Sequence, residues 1–273
     1  PEVRASDFAY LDAPTPVALA HRGGAAYEPN RGVENTMAAF RRAVEMGYCY
    51  LETDVHATKD GQLVAFHDTV LDRVSDVSGA VEDLPYNALR EVRIGGTEPI
   101  PLLGELFEAF PGVRVNIDIK ADGALEPTVR EVLAHDARDR VCIGSFSPRR
   151  LRAARSALGP RVATAAGQVG TALMRLTPAV VSRLLHTPAP VLQIPSQHRV
   201  GGRTITLVTP GLVRRAHDLG KHVHVWFHSW SREDATEMHR LLDLGVDGIV
   251  TDHIDVLRDV LAERGHPLTA PTH

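Results

Sequence analysis

The chain has 273 residues, 44% of them hydrophobic and 23% charged, a composition suited to a globular fold with a sizeable buried core. Thirty Lys and Arg against 34 Asp and Glu give a net charge of −4 with no long basic run, which argues against a nucleic-acid partner. No stretch of roughly 18 apolar residues occurs, so no stable membrane insertion is expected.

The opening PEVRASDFAYLD is a polar lead-in without the apolar core of a secretion leader. Residues 16–20 form a short apolar run ending in His21-Arg22-Gly23-Gly24, a strand followed by a tight turn that the glycines permit. After the loop at 25–32, Asn35 or Thr36 can cap a helix running to Met46, with Met37, Phe40 and Val44 on its apolar face and Gly47 as its stop. Residues 50–55 read as a strand with Leu51, Thr53 and Val55 on one face and Glu52 and Asp54 on the other. An Asp60-Gly61 turn and the apolar run 63–66 then return His67-Asp68 toward the two acids. Two like charges on one buried face need a cation, a shared proton or open water. A divalent metal is the simplest answer, and a solvent-facing strand edge with ordinary acids is the competing one.

Residues 69–112 lack periodicity apart from short helices at 84–92 and 102–110. From 113 onward strands and helices alternate: strands at 113–119, 141–146, 162–166, 191–194, 222–227 and 248–251, and helices at 125–135, 148–158, 171–186, 210–219, 232–244 and 254–263. Cys49 and Cys142 show no metal-motif spacing and read as free thiols of a cytoplasmic protein, or of a secreted one whose leader has been removed. Eight strands, each followed by a helix or helical loop, give the arithmetic of a closed (β/α)8 TIM barrel, a single domain with its barrel over residues 16–264. A doubly wound sheet is the competing architecture, but no G-x-G-x-x-G follows the first strand. A barrel of this kind places chemistry at the C-terminal ends of its strands. Those ends carry His21 and Arg22, Glu52 and Asp54, Asp118 and Lys120, Ser145, Trp226, and Thr251-Asp252.

HRG at 21–23, ENT at 34–36, ETD at 52–54 with HD at 67–68, NIDIK at 116–120, SF at 145–146 and GVDGIVTD at 245–252 together resemble the glycerophosphodiester phosphodiesterase family over nearly the whole chain. The resemblance implies a TIM barrel that uses one divalent cation, Mg²⁺ or Ca²⁺, to cleave a small-molecule glycerophosphodiester into glycerol 3-phosphate and an alcohol. By position, His21 and His67 resemble the catalytic histidines, and Glu52, Asp54 and Asp118 the metal-binding carboxylates. Arg22 and Lys120 resemble groups that hold the phosphate. Trp226 is placed to enclose the glycerol or to fill the barrel top. Hard oxygen ligands suit Mg²⁺ or Ca²⁺, and imidazoles of near-neutral pKa can share proton transfer. The chain departs from the family pattern at Asp118, where Glu is more usual, at the VWFHS run of 225–229, and in the loop 25–32, which is longer and could serve as a lid. A lysophospholipase D activity, or a barrel that binds phosphorylated ligands without turnover, is the alternative expectation.

Overall fold

In the third predicted strand, Val115, Ile117 and Ile119 alternate with Asn116 and Asp118. The computed structural model, which describes residues 3–166 and 188–269, gives that alternation its meaning. The apolar set packs outward into the main core against the surrounding helices, while Asn116 and Asp118 line a cavity at the barrel mouth. The same division holds around a ring of eight strands: β1 (Val17–His21), β2 (Tyr50–Ala57), β3 (Arg114–Ile119), β4 (Val141–Gly144), β5 (Ala163–Ala166), β6 (Val191–Pro195), β7 (His222–Trp226) and β8 (Gly248–Thr251). Each pairs in parallel with the next, and β1 pairs with both β8 and β2. The sheet therefore closes without a free edge on this ring, as a TIM barrel does.

The bottom of the barrel is apolar and plugged. Inward-facing Leu19, Tyr50, Cys142, Ala163, Val191 and Val250 meet Phe8, Tyr10 and Leu11 of the lead-in, whose polarity by count hides three large side chains. Tyr50 donates its hydroxyl to the Tyr10 carbonyl at 2.7 Å, so the buried phenol is paired. Burying each of these side chains is worth roughly 1.5–3 kcal/mol, and the cavity lies at the opposite end.

Between β2 and β3 the chain first turns back through Asp60-Gly61, and Leu63–Ala65 pairs antiparallel with the end of β2. The following segment builds a small core of its own from Phe66, Leu71, Leu89, Ile94 and Ile100. It is assembled from single turns and a two-residue strand pair, which explains its lack of periodicity. The helix expected over 84–92 is one turn, Tyr86–Leu89, starting after Pro85, and that over 102–110 is Leu103–Ala109. Beyond β6 an antiparallel hairpin, Gln197–Val200 with Arg203–Thr206, fills the stretch between the expected strand 191–194 and the expected helix 210–219, to which the sequence reading assigns no element. The helix expected over 171–186 lies outside the described residues.

Candidate active site

The turn after β1 sets the geometry of the mouth. Arg22 has φ 51° and is followed by Gly23 at φ 83° and Gly24 at φ 89°. A Cβ on Gly23 would stand 2.8 Å from the Ala39 side chain, and one on Gly24 would stand 2.7 Å from Ile254. The chain can thus fold tightly enough to keep His21 and Arg22 at the strand end only with glycine at both places. Strand register then assembles the acids. His21 lies beside Glu52, Glu52 beside Asn116, and Asp54 beside Asp118.

Charge is interleaved across this face. The Lys120 ammonium lies 2.8 Å from Asp54 Oδ1 and 2.7 Å from Asp118 Oδ2. The Arg22 guanidinium spans Asp54, at 3.0 Å from Nε, and Glu34, at 3.2 Å from Nη1. Asn35 donates to Asp54 Oδ2 at 3.2 Å and accepts from the Thr53 hydroxyl at 2.8 Å. Of the two caps that the sequence offers, Thr36 is the one used: it accepts from the Ala39 amide and caps the helix Met37–Glu45. Asn35, at φ 55°, turns its amide onto the acid instead.

These partners separate the two acids of β2. Burial would raise the Asp54 carboxyl, but the Lys120 and Arg22 cations hold it well below the usual carboxylate range. Burial and the Asp54 charge push the Glu52 carboxyl up, against the opposing pull of His21, Arg22 and Lys120.

Each of the two histidines is tied to an aspartate. His21 Nδ1 lies 2.8 Å from Asp252 Oδ1, and its Nε2 lies 3.7 Å from Glu52. Burial alone would lower its pKa; the Asp252 and Glu52 charges reverse that and raise it to about 9. His67 Nδ1 lies 2.5 Å from Asp68 Oδ1, yet burial lowers its pKa, with the neighbouring Arg22 charge outweighing part of the support from Asp54 and Asp68. The imidazoles thus stand on opposite sides of the ordinary value. Arg73, from the irregular segment, braces this side by binding Asp68 at 2.5 Å and Glu34 at 2.5 and 3.0 Å. Glu233 braces the other by accepting from the Thr251 hydroxyl at 2.6 Å and the Asp252 amide at 2.8 Å.

His21, Arg22, Glu52, Asp54, His67, Asp118, Lys120 and Trp226 all line one cavity of about 810 Å³. The sequence reading missed Arg73, for which an aperiodic stretch offers no placement, and left Asp252 and Glu34 without a role although TD and ENT marked them. Loop 25–32 is not among the cavity-lining residues. It is held down by Ala26 and Tyr27 amides on the Asp252 carbonyl and by Arg42 on Pro29 and Asn30, which does not suit a lid.

Among the described residues no three His, Cys, Asp or Glu side chains are gathered ready to hold a metal ion, because Lys120 sits between Asp54 and Asp118. The donor set nonetheless fits a hard divalent cation: three carboxylates without a thiol, with Asp118 Oδ1 buried and lacking a hydrogen-bond partner.

Residues 21–256 match the sequence profile of the glycerophosphoryl diester phosphodiesterase family. The chain belongs to this family. It is 43% identical to "Probable glycerophosphodiester phosphodiesterase 2" of Mycobacterium tuberculosis over 91% of this chain and 92% of that protein. It is 31% identical to human lysophospholipase D GDPD1 over 89% of this chain and 85% of that one. In fold it resembles a crystal structure from Silicibacter pomeroyi with a TM-score of 0.78 at 22% identity, covering 96% of this chain and all of the other. The matched residues of the family profile start at His21 and contain every residue named above at the mouth.

Proposed function

We propose that this mouth hydrolyses a glycerophosphodiester to glycerol 3-phosphate and an alcohol, with His21 and His67 exchanging protons beside one divalent cation, Mg²⁺ or Ca²⁺, held by Glu52, Asp54 and Asp118. One observation carries the reading: two histidines, each anchored through Nδ1 to an aspartate, flank a nest of carboxylates and cations in one cavity. A binding module has no use for an acid and a base of opposite poise. When bound, the cation would offset charge that grows on the phosphoryl oxygens.

The chain's own residues do the rest. Arg22 and Lys120 grip the phosphate, Arg22 through its planar fork and Lys120 by turning its ammonium from Asp54 and Asp118 toward the substrate. His67, neutral near pH 7, takes the proton of the attacking hydroxyl, and His21, protonated there, gives one to the departing alkoxide. Trp226 closes the cavity beside the bound diester. The substrate is small, and no described helix is long and apolar enough to cross a membrane. Both cysteines are free, which supports a cytoplasmic setting. A second reading, release of an alcohol from lysophospholipids, is favoured by Phe146, 55% exposed at the mouth, and by the human relative's name.

The test is glycerol 3-phosphate release from glycerophosphocholine and glycerophosphoglycerol by metal-stripped protein with Mg²⁺ or Ca²⁺ added back, His21→Ala serving as the blank. Release restored by metal and lost in the variant is expected. Equal release by the folded variant would remove His21 from the chemistry.

A further inference from the structure

The cavity is electrically divided. The four carboxylates that line it, Glu52, Asp54, Asp118 and Asp252, come from the strand ends β2, β3 and β8. The half built on β4 to β7 contributes no charged side chain among the described lining residues; its polar groups are Ser145, Gln193, His198, His228 and Ser229. With Arg22 and Lys120 on the phosphate and Glu52, Asp54 and Asp118 on the cation beside it, the glycerol and the leaving alcohol share the remaining volume, and this neutral half faces one of them.

Its construction is specific. The His228 ring is wedged, edge-on to Trp226 at 4.6 Å and stacked on Trp230 at 4.8 Å with 13° between planes. The His198 ring stands 6.3 Å from it. His198 Nδ1 and His228 Nε2 are buried and have no hydrogen-bond partner. Buried polar atoms are costly when left unpaired, so two fixed positions in this half call for a hydrogen-bonding guest. A neutral imidazole offers one donor and one acceptor, and burial together with the neighbouring His198 lowers the pKa of His228.

The alternatives fit less well. A quaternary ammonium headgroup wants a free aromatic face or a carboxylate. The Trp230 face is already engaged by His228 and by the Arg199 guanidinium, 4.2 Å from its ring centre, the Phe146 ring is engaged by the Lys120 ammonium at 5.4 Å, and these cations add like charge with no acid among the described lining residues of this half to offset it. An acyl chain would bury both imidazole nitrogens without partners.

We propose that the β4–β7 half of the cavity is the subsite for the leaving alcohol and that it selects a neutral polyhydroxy alcohol, such as glycerol or inositol, over choline, the alcohol that both glycerophosphocholine and lysophosphatidylcholine would release. The inference rests on the phosphodiesterase reading above. The reaction balances simply: the bond from phosphorus to the alcohol oxygen breaks, water supplies the oxygen that replaces it and gives its proton to His67, and the departing alkoxide leaves as the alcohol with a proton from His21. His198 and His228 would hydrogen-bond hydroxyls of that alcohol before and after the bond breaks.

The test compares kcat/KM of the metal-loaded enzyme for glycerophosphoglycerol, glycerophosphoinositol, glycerophosphocholine and lysophosphatidylcholine. Two hydrogen bonds formed only with a polyol predict a preference of about tenfold or more for the first two. In His198→Phe/His228→Phe, which keeps both rings and removes their nitrogens, that ratio should fall toward one. Equal or better use of the choline or lysolipid substrate by the wild type, or a ratio that survives in the folded double variant, would overturn the subsite. No release from any of the four would instead overturn the phosphodiesterase reading, and the subsite with it.

Discussion

Replacing Asp252 by Asn keeps an oxygen that can accept from His21 Nδ1 while removing the charge behind it. The rise of His21 from 6.5 to about 9 corresponds to about 3 kcal/mol of preference for the imidazolium. That preference is divided between Asp252 at 2.8 Å and Glu52 at 3.7 Å. The His21 and Asp252 side chains are 22% and 28% exposed, so solvent screens part of the attraction. Loss of the Asp252 charge should then lower the His21 pKa by about one pH unit, worth about 1.4 kcal/mol. The sign for stability follows. A folded-state pKa above the unfolded one contributes stability that is fully present below pH 6.5 and is lost as pH rises through about 9. Asp252→Asn should therefore be less stable than wild type near neutrality, with the two converging in alkali. Ring-proton NMR of His21 in metal-free protein reads the pKa directly. The alkaline limb of kcat/KM reads it in turnover, at lower pH once a cation stands beside Glu52. A His21 that titrates at the same pH in both proteins would refute the electrostatic argument.

Other expectations are independent of that one. The acid limb of kcat/KM should reflect a group titrating below the ordinary histidine value, His67, and should disappear as a simple ionisation in His67→Ala. Gly23→Ala forces a Cβ to 2.8 Å from Ala39 at φ 83°, and urea unfolding should show a loss of about 2–3 kcal/mol with an unchanged m value. Arg73 is half exposed, so Arg73→Ala should cost at most about 1 kcal/mol of stability. Because Asp68 loses its brace, kcat should fall about three- to tenfold with little change in KM. Glu52→Gln should abolish both the metal-restored turnover and the calorimetric heat of Mg²⁺ or Ca²⁺ binding; a cation bound as before would exclude Glu52 from the ligands.

Most of the barrel was legible because each strand faces two different environments. Glu52 and Asp54 share a face by period two alone, and parallel register then delivers Asp118 beside Asp54. Three parts were hidden for physical reasons. Asn35 and Thr36 are both good caps in isolation, and only the tertiary approach of Asp54 decides between them. Phe8, Tyr10 and Leu11 are masked by the acids and alanines around them, so the barrel plug carries no periodic signal. Arg73 reaches Glu34 across 39 positions from a segment whose conformation is fixed by a local cluster rather than by repeating backbone. The hairpin at Gln197–Val200 and Arg203–Thr206 did have a signal, a Gly201-Gly202 turn between alternating residues. It lies as an insertion between the strand and the helix Pro210–Asp218, and the alternation of strand and helix is complete without it.

The claim that matters most is that phosphorus is attacked at this mouth and the bond to the alcohol breaks. Hydrolysis of glycerophosphocholine in water enriched in ¹⁸O, followed by phosphorus NMR and mass spectrometry, tests it directly. The account predicts glycerol 3-phosphate carrying one labelled oxygen and an unlabelled alcohol, dependent on added Mg²⁺ or Ca²⁺ and absent in His21→Ala. Label in the alcohol, or release of the headgroup phosphate with free glycerol, would contradict it.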